Sequence, residues 1–222
     1  SADRGRHDVF DALIAKRLKV PLGSAVRPLD RAGLTATQLT VIGAVFGLLA
    51  ATAIMLDALI TAAILFGSNR LLDGLDGALA RVQGPTERGA FLDITCDFLV
   101  YSAIPLAFAI RDPNVALAAA FLLFSFVGTG SSFLAFSIFA ARNRLQNQAL
   151  KEKSIYYLQG LTEGFETTVV LLLMCLIPDW FEWLAWGFGM LCLVTTASRI
   201  IEGNRALRGI STPEPDRLSE TN

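Results

Sequence analysis

The chain contains almost no histidine and very few cysteines. Its 222 residues include one histidine, His7, and three cysteines, Cys96, Cys175 and Cys192. The cysteines stand in apolar stretches without a pairing pattern, so we expect small buried side chains and exclude a disulfide framework. Charged residues are also scarce, at 18% of the chain, and the net charge of −1 gives no reason to expect a nucleic-acid partner.

Apolar residues, in contrast, make up 53% of the chain and collect in long runs. Several runs approach or exceed the roughly 18–20 residues with which a helix spans a bilayer. This distribution excludes a soluble domain and predicts an all-α integral membrane protein. Polar breaks such as "QGPTER", "RDPN" and "IPDWF" divide the runs into six predicted transmembrane helices, at about 36–56, 58–81, 89–111, 115–141, 154–177 and 181–204.

Two polar segments flank the predicted helical domain, which covers 36–207. In the N-terminal segment, 1–35, the stretch 8–19 places apolar side chains on one side of a helix and basic ones elsewhere. That pattern predicts an amphipathic helix lying on the membrane surface. A soluble helix packed on its own domain is the alternative. The C-terminal segment, 208–222, is a polar tail.

Basic residues indicate how the helices are oriented. With the N-terminus in the cytoplasm, only Arg111 of the 19 basic residues falls on the outer side. We therefore expect an even number of spans with both termini in the cytoplasm. Trp180, Trp183 and Trp186 collect at the outer end of the last helix, where an aromatic belt lies in many membrane proteins.

Four aspartates are concentrated in the stretch 70–98, on the cytoplasmic halves of the second and third predicted helices. Since each helical residue turns by about 100°, Asp73 and Asp76 share one face, as do Asp93 and Asp97. The turn "VQGPTER" lets the two faces converge. Carboxylates at this spacing repel one another unless cations hold them, and hard divalent ions suit carboxylate oxygens.

Small residues and an arginine accompany these carboxylates. Gly77, Ala80 and Gly89 lack bulk, so a wide ligand can approach the helices, and Arg81 offers a forked donor suited to phosphate. The combination indicates a site for a diphosphate bridged by metal ions. A proton or cation pathway and a structural charge cluster remain as alternatives on geometry alone.

The motif has a close counterpart in a known family. Asp73-x-x-Asp76-Gly77-x-x-Ala80-Arg81, then Gly89-x-x-x-Asp93-x-x-x-Asp97, resembles the signature of the CDP-alcohol phosphotransferase family at all eight positions. The six-helix layout with an amphipathic N-terminal helix is also similar to that family. The resemblance implies a homodimeric membrane enzyme that transfers a phosphatidyl group from CDP-diacylglycerol, or a similar CDP-lipid, to an alcohol and releases CMP.

The resemblance also implies residue roles. Asp73 and Asp93 would bridge two Mg²⁺ or Mn²⁺ ions, Asp76 would complete one metal site, and Asp97 would complete the other. Asp97 would also act as general base towards the acceptor hydroxyl. The nucleotide would be bound by Asp73, Gly77, Ala80, Arg81, Thr86, Gly89, Thr37 and Thr40. Thr35 and Thr40 are each also able to cap the first helix.

The sequence gives less information about the acceptor alcohol than about the CDP-lipid. Family members with phosphorylated acceptors often carry arginines in the fifth helix, where this chain has Gly164 and Thr167 in "LTEGFETT". That departure favours a neutral alcohol or polyol. The alternative is a phosphorylated acceptor, as in phosphatidylglycerophosphate or phosphatidylinositol phosphate synthases. Candidate acceptor residues are Arg142, Glu163, Glu166 and Arg199. A cation transporter that uses the aspartates is the alternative from another functional class.

Overall fold

The computed structural model describes residues 26–144 and 164–208, with side chains over 26–139 and 164–205. Each of the six predicted helices has a counterpart in it, and the all-α prediction is confirmed over this part of the chain. The predicted amphipathic helix, the tail after residue 208 and the first turns of the fifth helix lie outside the described residues. The helices are α1 (Ala36–Met55), α2 (Leu59–Gln83), α3 (Glu87–Arg111), α4 (Ala116–Arg144), α5 (Gly164–Leu176) and α6 (Phe181–Arg208).

Within residues 26–144 and 164–208, four segments are long and apolar enough to cross a membrane, namely α1, α3, 113–139 and 178–205. The 25 residues of α2 include Asn69, Arg70 and two aspartates, so its composition is more polar than that of these four. The described part of α5 is apolar but has only 13 residues. Six helices in the predicted order are therefore present, whereas six transmembrane spans remain a prediction.

The helix ends near the aspartates have local causes. Thr35 caps α1 in a capping box, in which its hydroxyl accepts from the Gln38 N–H and the Gln38 side chain accepts from the Thr35 N–H. Gly84 ends α2 at φ +94°, a conformation that residues with a Cβ rarely adopt. Thr86 then caps α3, where its hydroxyl accepts from the Gly89 N–H at 3.1 Å. The turn between α2 and α3 is thereby short and defined.

Packing brings the helices together as two groups. Helix α1 packs against α2 and α3, and α4 packs against α6, while α3–α4 and α2–α5 contacts connect the groups. The approaches are close where glycine faces a large side chain, since a Cβ on Gly47 would lie 2.5 Å from a Val100 methyl and one on Gly130 would lie 2.5 Å from the Phe98 ring. Apolar side chains such as Leu56, Leu117 and Trp183 are 72–74% exposed. Such a surface suits helices that face lipid.

Candidate metal centre and active site

Three carboxylates meet where α2 and α3 pack together. Asp73 and Asp76 from α2 and Asp93 from α3 each offer an oxygen, and the three oxygens lie within 4.8 Å of one another. Asp76 is buried, with 4% of its surface exposed. Three clustered carboxylates repel one another, and hard oxygen ligands of this kind fit Mg²⁺ or Mn²⁺. We call Asp73, Asp76 and Asp93 the carboxylate triad.

The buried member of the triad accepts a short hydrogen bond from a hydroxyl that also lies 3.1 Å from the Ala36 carbonyl. The hydroxyl of Thr40 in α1 donates to Asp76 Oδ2 at 2.6 Å, and Thr40 is itself only 8% exposed. Of the two threonines that the sequence offered as caps, Thr35 is the cap, and Thr40 orients a candidate metal ligand. A hydroxyl donor to a carboxylate makes a strong, charge-assisted hydrogen bond.

Asp97 lies one turn beyond Asp93 and is held differently. Its Oδ1 accepts from Nη2 of Arg70 at 2.7 Å, and Asp97 is not part of the triad. It nevertheless lines a small cavity of about 10 Å³ together with Asp73 and Asp76, a volume that accommodates about one water molecule or ion. The role of Asp97 as a metal ligand therefore stays a prediction. Its place beside the small cavity favours this role, whereas its ion pair with Arg70 opposes it.

Arg70 is the principal residue that the sequence reasoning missed. It lies one turn before Asp73 on α2, with Nη1 at 3.5 Å from Asp73 Oδ2, and its side chain is 11% exposed. The available signal was a cation inside a helix, three residues from a candidate ligand, since intramembrane charges are costly and usually paired. The identity of its main partner, Asp97, depends on how α2 and α3 pack.

A large cleft of about 610 Å³ opens beside the triad. Its walls come from the start of α1, the last turns of α2, the turn 84–86 and the first turns of α3. Eight residues with predicted nucleotide or metal roles line it, namely Thr37, Thr40, Asp76, Gly77, Ala80, Thr86, Gly89 and Asp93, whereas the predicted Arg81 does not. Asp73 instead lines the small cavity. The cleft thus joins the predicted nucleotide-binding residues to the carboxylates.

Gly77 adds no side chain to the α2 wall of this cleft, which leaves room for a ligand. A Cβ on Gly77 would meet only Nη1 of Arg81, at 3.7 Å, so the Arg81 guanidinium lies beside the glycine on the same helix face. Gln83 and Arg88 also line the cleft, and the sequence reasoning did not single them out. Gln83 donates to Asp30 Oδ1 at 2.9 Å and accepts from the Ala36 N–H at 3.2 Å, so it ties the end of α2 to the start of α1.

A second cavity, of about 360 Å³, lies on the other side of Asp97 along α3. It is lined by Ile94, Asp97, Phe98, Tyr101, Phe126, Thr129, Gly130, Phe133, Gly164, Thr167, Cys192 and Arg199. Asp97 lines both this cavity and the small cavity, so this residue lies between them. Arg199 is the cation among the described lining residues; its Nη1 donates to the Thr129 carbonyl at 3.3 Å, and its guanidinium lies 5.7 Å from the Phe133 ring centre.

Of the other three predicted acceptor residues, Glu166 is the one whose side chain the structure describes. Glu166 is exposed in the first turn of α5 and does not line the second cavity, although its neighbour Thr167 does. The side chain of Arg142 and the whole of Glu163 lie outside the described part of the structure.

Comparison with known proteins identifies the family of this chain. The family model of CDP-alcohol phosphatidyltransferase matches residues 33–194. This range includes every polar residue that lines the large cleft or the second cavity, except Arg199. The chain is 46% identical over 203 residues to the inner membrane protein YnjF of Escherichia coli strain K12, with 91% of this chain and 98% of that protein covered. The chain therefore belongs to the CDP-alcohol phosphatidyltransferase family.

Other relatives share part of the sequence or the fold. An archaetidylinositol phosphate synthase of Pyrococcus horikoshii is 39% identical over 98 residues, which cover 44% of this chain and 52% of that protein. The phosphatidylinositol phosphate synthase PgsA1 of Mycobacterium tuberculosis, with CDP-DAG bound, has the same fold at a TM-score of 0.66 and 21% identity, covering 90% of this chain and 98% of that one. Its complex with manganese and citrate matches with a TM-score of 0.63 and 22% identity, over 90% and 93% of the two chains.

Proposed function

We propose that this protein catalyses the metal-dependent transfer of a phosphatidyl group from CDP-diacylglycerol, or a similar CDP-lipid, to an alcohol, with release of CMP. The observation that carries the proposal is the position of Asp97. It lies between the small cavity beside the triad and the second cavity, so a group bound on each side would meet at this residue. That arrangement suits a base placed between an activated phosphate and an incoming hydroxyl.

The triad and the large cleft support the donor half of the reaction. Together with Asp97, the triad would hold two Mg²⁺ or Mn²⁺ ions, which would offset the charge of the diphosphate and of the departing CMP phosphate. Thr40 fixes Asp76 for this task. The CDP group would lie in the large cleft, against Gly77, Ala80 and Gly89, with the Thr37 and Thr86 hydroxyls and the nearby Arg81 in reach of its phosphates and ribose.

The second cavity supports the acceptor half. The acceptor hydroxyl would bind there and give its proton to Asp97 while its oxygen forms a bond to the phosphorus that carries the diacylglycerol. The bond between that phosphorus and the bridging oxygen breaks, and CMP leaves with the electron pair. Asp97 would hold the proton on a carboxylate oxygen until the products leave.

The lining of the second cavity favours a neutral alcohol or polyol as acceptor. Phe98, Phe126 and Phe133 form much of the wall, and Gly164 and Thr167 contribute no cation. A phosphorylated acceptor is the second candidate because Arg199 lines the cavity and because two of the three named relatives are inositol phosphate synthases. A phosphate monoester carries two negative charges and is usually bound by several cationic side chains. The described lining contains one, Arg199.

The setting of the reaction is part of the proposal. The apolar helices and the inner-membrane relative support a multi-pass protein of the bacterial inner membrane. The active site and both termini would face the cytosol, as the distribution of basic residues indicates. Membrane lipids surround the helices, and the active form would be a homodimer.

A screen for CMP release tests the proposal. The purified protein would be given CDP-diacylglycerol, Mn²⁺ or Mg²⁺, and one acceptor at a time: glycerol, inositol, serine, choline, ethanolamine, phosphatidylglycerol, glycerol phosphate or inositol phosphate. We expect release with a neutral acceptor and its loss in Asp97→Asn. Release that persists undiminished in Asp97→Asn would remove this residue from the base role. Cation flux in liposomes without CMP release would favour the transporter alternative instead.

A further inference from the structure

The guanidinium of Arg70 is bound on several sides at the boundary between the triad and the second cavity. Its Nη2 donates to Asp97 Oδ1, its Nη1 donates to the Tyr101 hydroxyl and its Nε donates to Asn69 Oδ1, each at 2.7 Å. The Tyr101 ring centre lies 4.8 Å from its central carbon and the Phe66 ring centre lies 5.8 Å away. With 11% exposure, this side chain has one defined orientation.

The contacts of Arg70 tie three helices to the same point. Asn69, which accepts from Arg70, is 3% exposed and donates its own Nδ2 to the Gly43 carbonyl of α1 at 2.8 Å. Arg70 and Asn69 belong to α2, and Asp97 and Tyr101 belong to α3. A planar guanidinium fixed at three nitrogens holds its carboxylate partner in one rotational state, because each hydrogen bond of the fork has a set direction.

The charge of Arg70 stands beside two predicted metal ligands. Besides the pair with Asp97, its Nη1 lies 3.5 Å from Asp73 Oδ2. A fixed positive charge this close opposes the binding of a divalent ion to the same carboxylates, and the effect is strong in a poorly hydrated site. The charge of Arg70 therefore does not favour metal binding. Its hydrogen bond to Asp97 needs another explanation.

We propose that Arg70 is the positioning residue for Asp97, an inference that rests on the proposed function. By holding Oδ1, it directs the other carboxylate oxygen of Asp97 to the junction of the two cavities, where the acceptor hydroxyl would give up its proton. It maintains this orientation while weakening the affinity for divalent ions. Arg70 would therefore raise kcat by orienting Asp97 and lower the affinity of the site for divalent ions.

The test measures both effects in Arg70→Gln. Mn²⁺ affinity, followed by the electron paramagnetic resonance signal of free Mn²⁺ without substrate, should become about three- to tenfold tighter because a nearby positive charge is lost. The kcat of CMP release, with the best acceptor of the screen, should fall about 10- to 100-fold because Asp97 is no longer oriented. The KM for CDP-diacylglycerol should stay within about twofold of the wild type.

Two further variants separate charge, orientation and folding. Arg70→Lys keeps the charge but not the fork, so its Mn²⁺ affinity should match the wild type while its kcat falls as in Arg70→Gln. Arg111→Gln is the matched control, because Arg111 pairs with Asp57 at 2.7 Å at the other end of α3, and we expect both quantities to stay unchanged.

Three results would contradict the proposal. An unchanged kcat in Arg70→Gln would show that Asp97 needs no positioning. Weaker Mn²⁺ binding, together with lower kcat and a lower unfolding temperature, would make Arg70 a helix-to-helix contact and nothing more. A wild-type protein that binds Mn²⁺ but releases no CMP with any acceptor would instead refute the proposed function, and this result appears before any variant is needed.

Discussion

Replacing Thr40 by valine removes one hydrogen-bond donor from a buried carboxylate. The Thr40 hydroxyl donates to Asp76 Oδ2 at 2.6 Å, and both residues are at most 8% exposed. A hydrogen bond to a charged group contributes about 1.5–3 kcal/mol, and its loss leaves the buried carboxylate less well satisfied. For a chain of this size, that corresponds to an unfolding temperature lower by about 3–12 °C in the absence of metal.

Added metal should reduce the difference between Thr40→Val and the wild type. A divalent ion would satisfy Asp76 in place of the lost hydroxyl, so saturating Mn²⁺ should raise the unfolding temperature of the variant more than that of the wild type. Intrinsic fluorescence during heating in detergent, with and without Mn²⁺, measures both shifts. Thr52→Val is the control, since the Thr52 hydroxyl on the same helix bonds only the Leu48 carbonyl at an exposed position.

The reasoning behind this prediction has a clear point of failure. If Thr40→Val and Thr52→Val lose the same few tenths of a degree without metal, the 2.6 Å hydrogen bond does not stabilise Asp76. If Mn²⁺ shifts neither variant nor the wild type, the carboxylate triad is not a metal site under these conditions.

Three further outcomes are expected. Asp93→Asn should abolish saturable Mn²⁺ binding at the triad, and EDTA should stop CMP release by the wild type, with recovery on adding Mn²⁺ or Mg²⁺ as the check. Gly77→Val should raise the KM for CDP-diacylglycerol about tenfold or more because its side chain would enter the large cleft, whereas Gly67→Ala, with nothing within 4 Å of its Cβ, should leave KM unchanged. Thr167→Arg should move the acceptor preference towards glycerol phosphate by adding a second cation to the second cavity, and an unaltered ranking of acceptors would contradict the assignment of that cavity.

Much of the architecture follows from composition and periodicity. The predicted ranges 36–56, 58–81 and 89–111 differ from the observed α1, α2 and α3 by at most two residues at each end. The reason is that long apolar runs in a membrane protein form helices in order to satisfy their backbone, and Gly84 and Pro85 mark an unambiguous break. The aromatic belt stays a prediction; Trp180 and Trp183 are exposed, and the Trp186 ring centre lies 4.4 Å from that of Phe121.

The sequence predicted which carboxylates share a helix face and that the two faces converge across the turn, and the triad shows this convergence. Residues at three- and four-residue spacings must share a face, so the pairs Asp73–Asp76 and Asp93–Asp97 were evident from their numbering alone. Which residues face each other across helices depends on the relative rotation and height of the helices. Those are decided by close packing, as where Gly47 in α1 admits the Val100 side chain of α3.

The sequence by itself determined the helical membrane architecture, the concentration of acidic residues at one end of two neighbouring helices and, through its motif, the family. Only the tertiary structure decided that Asp76 receives the Thr40 hydroxyl 36 positions away, that Asp97 is paired with Arg70 rather than joined to the triad, and that Asp97 separates two cavities. The physical reason is that periodicity specifies directions within one helix, whereas hydrogen bonds of about 2.7 Å between helices require an alignment that the packing of all neighbouring side chains sets together.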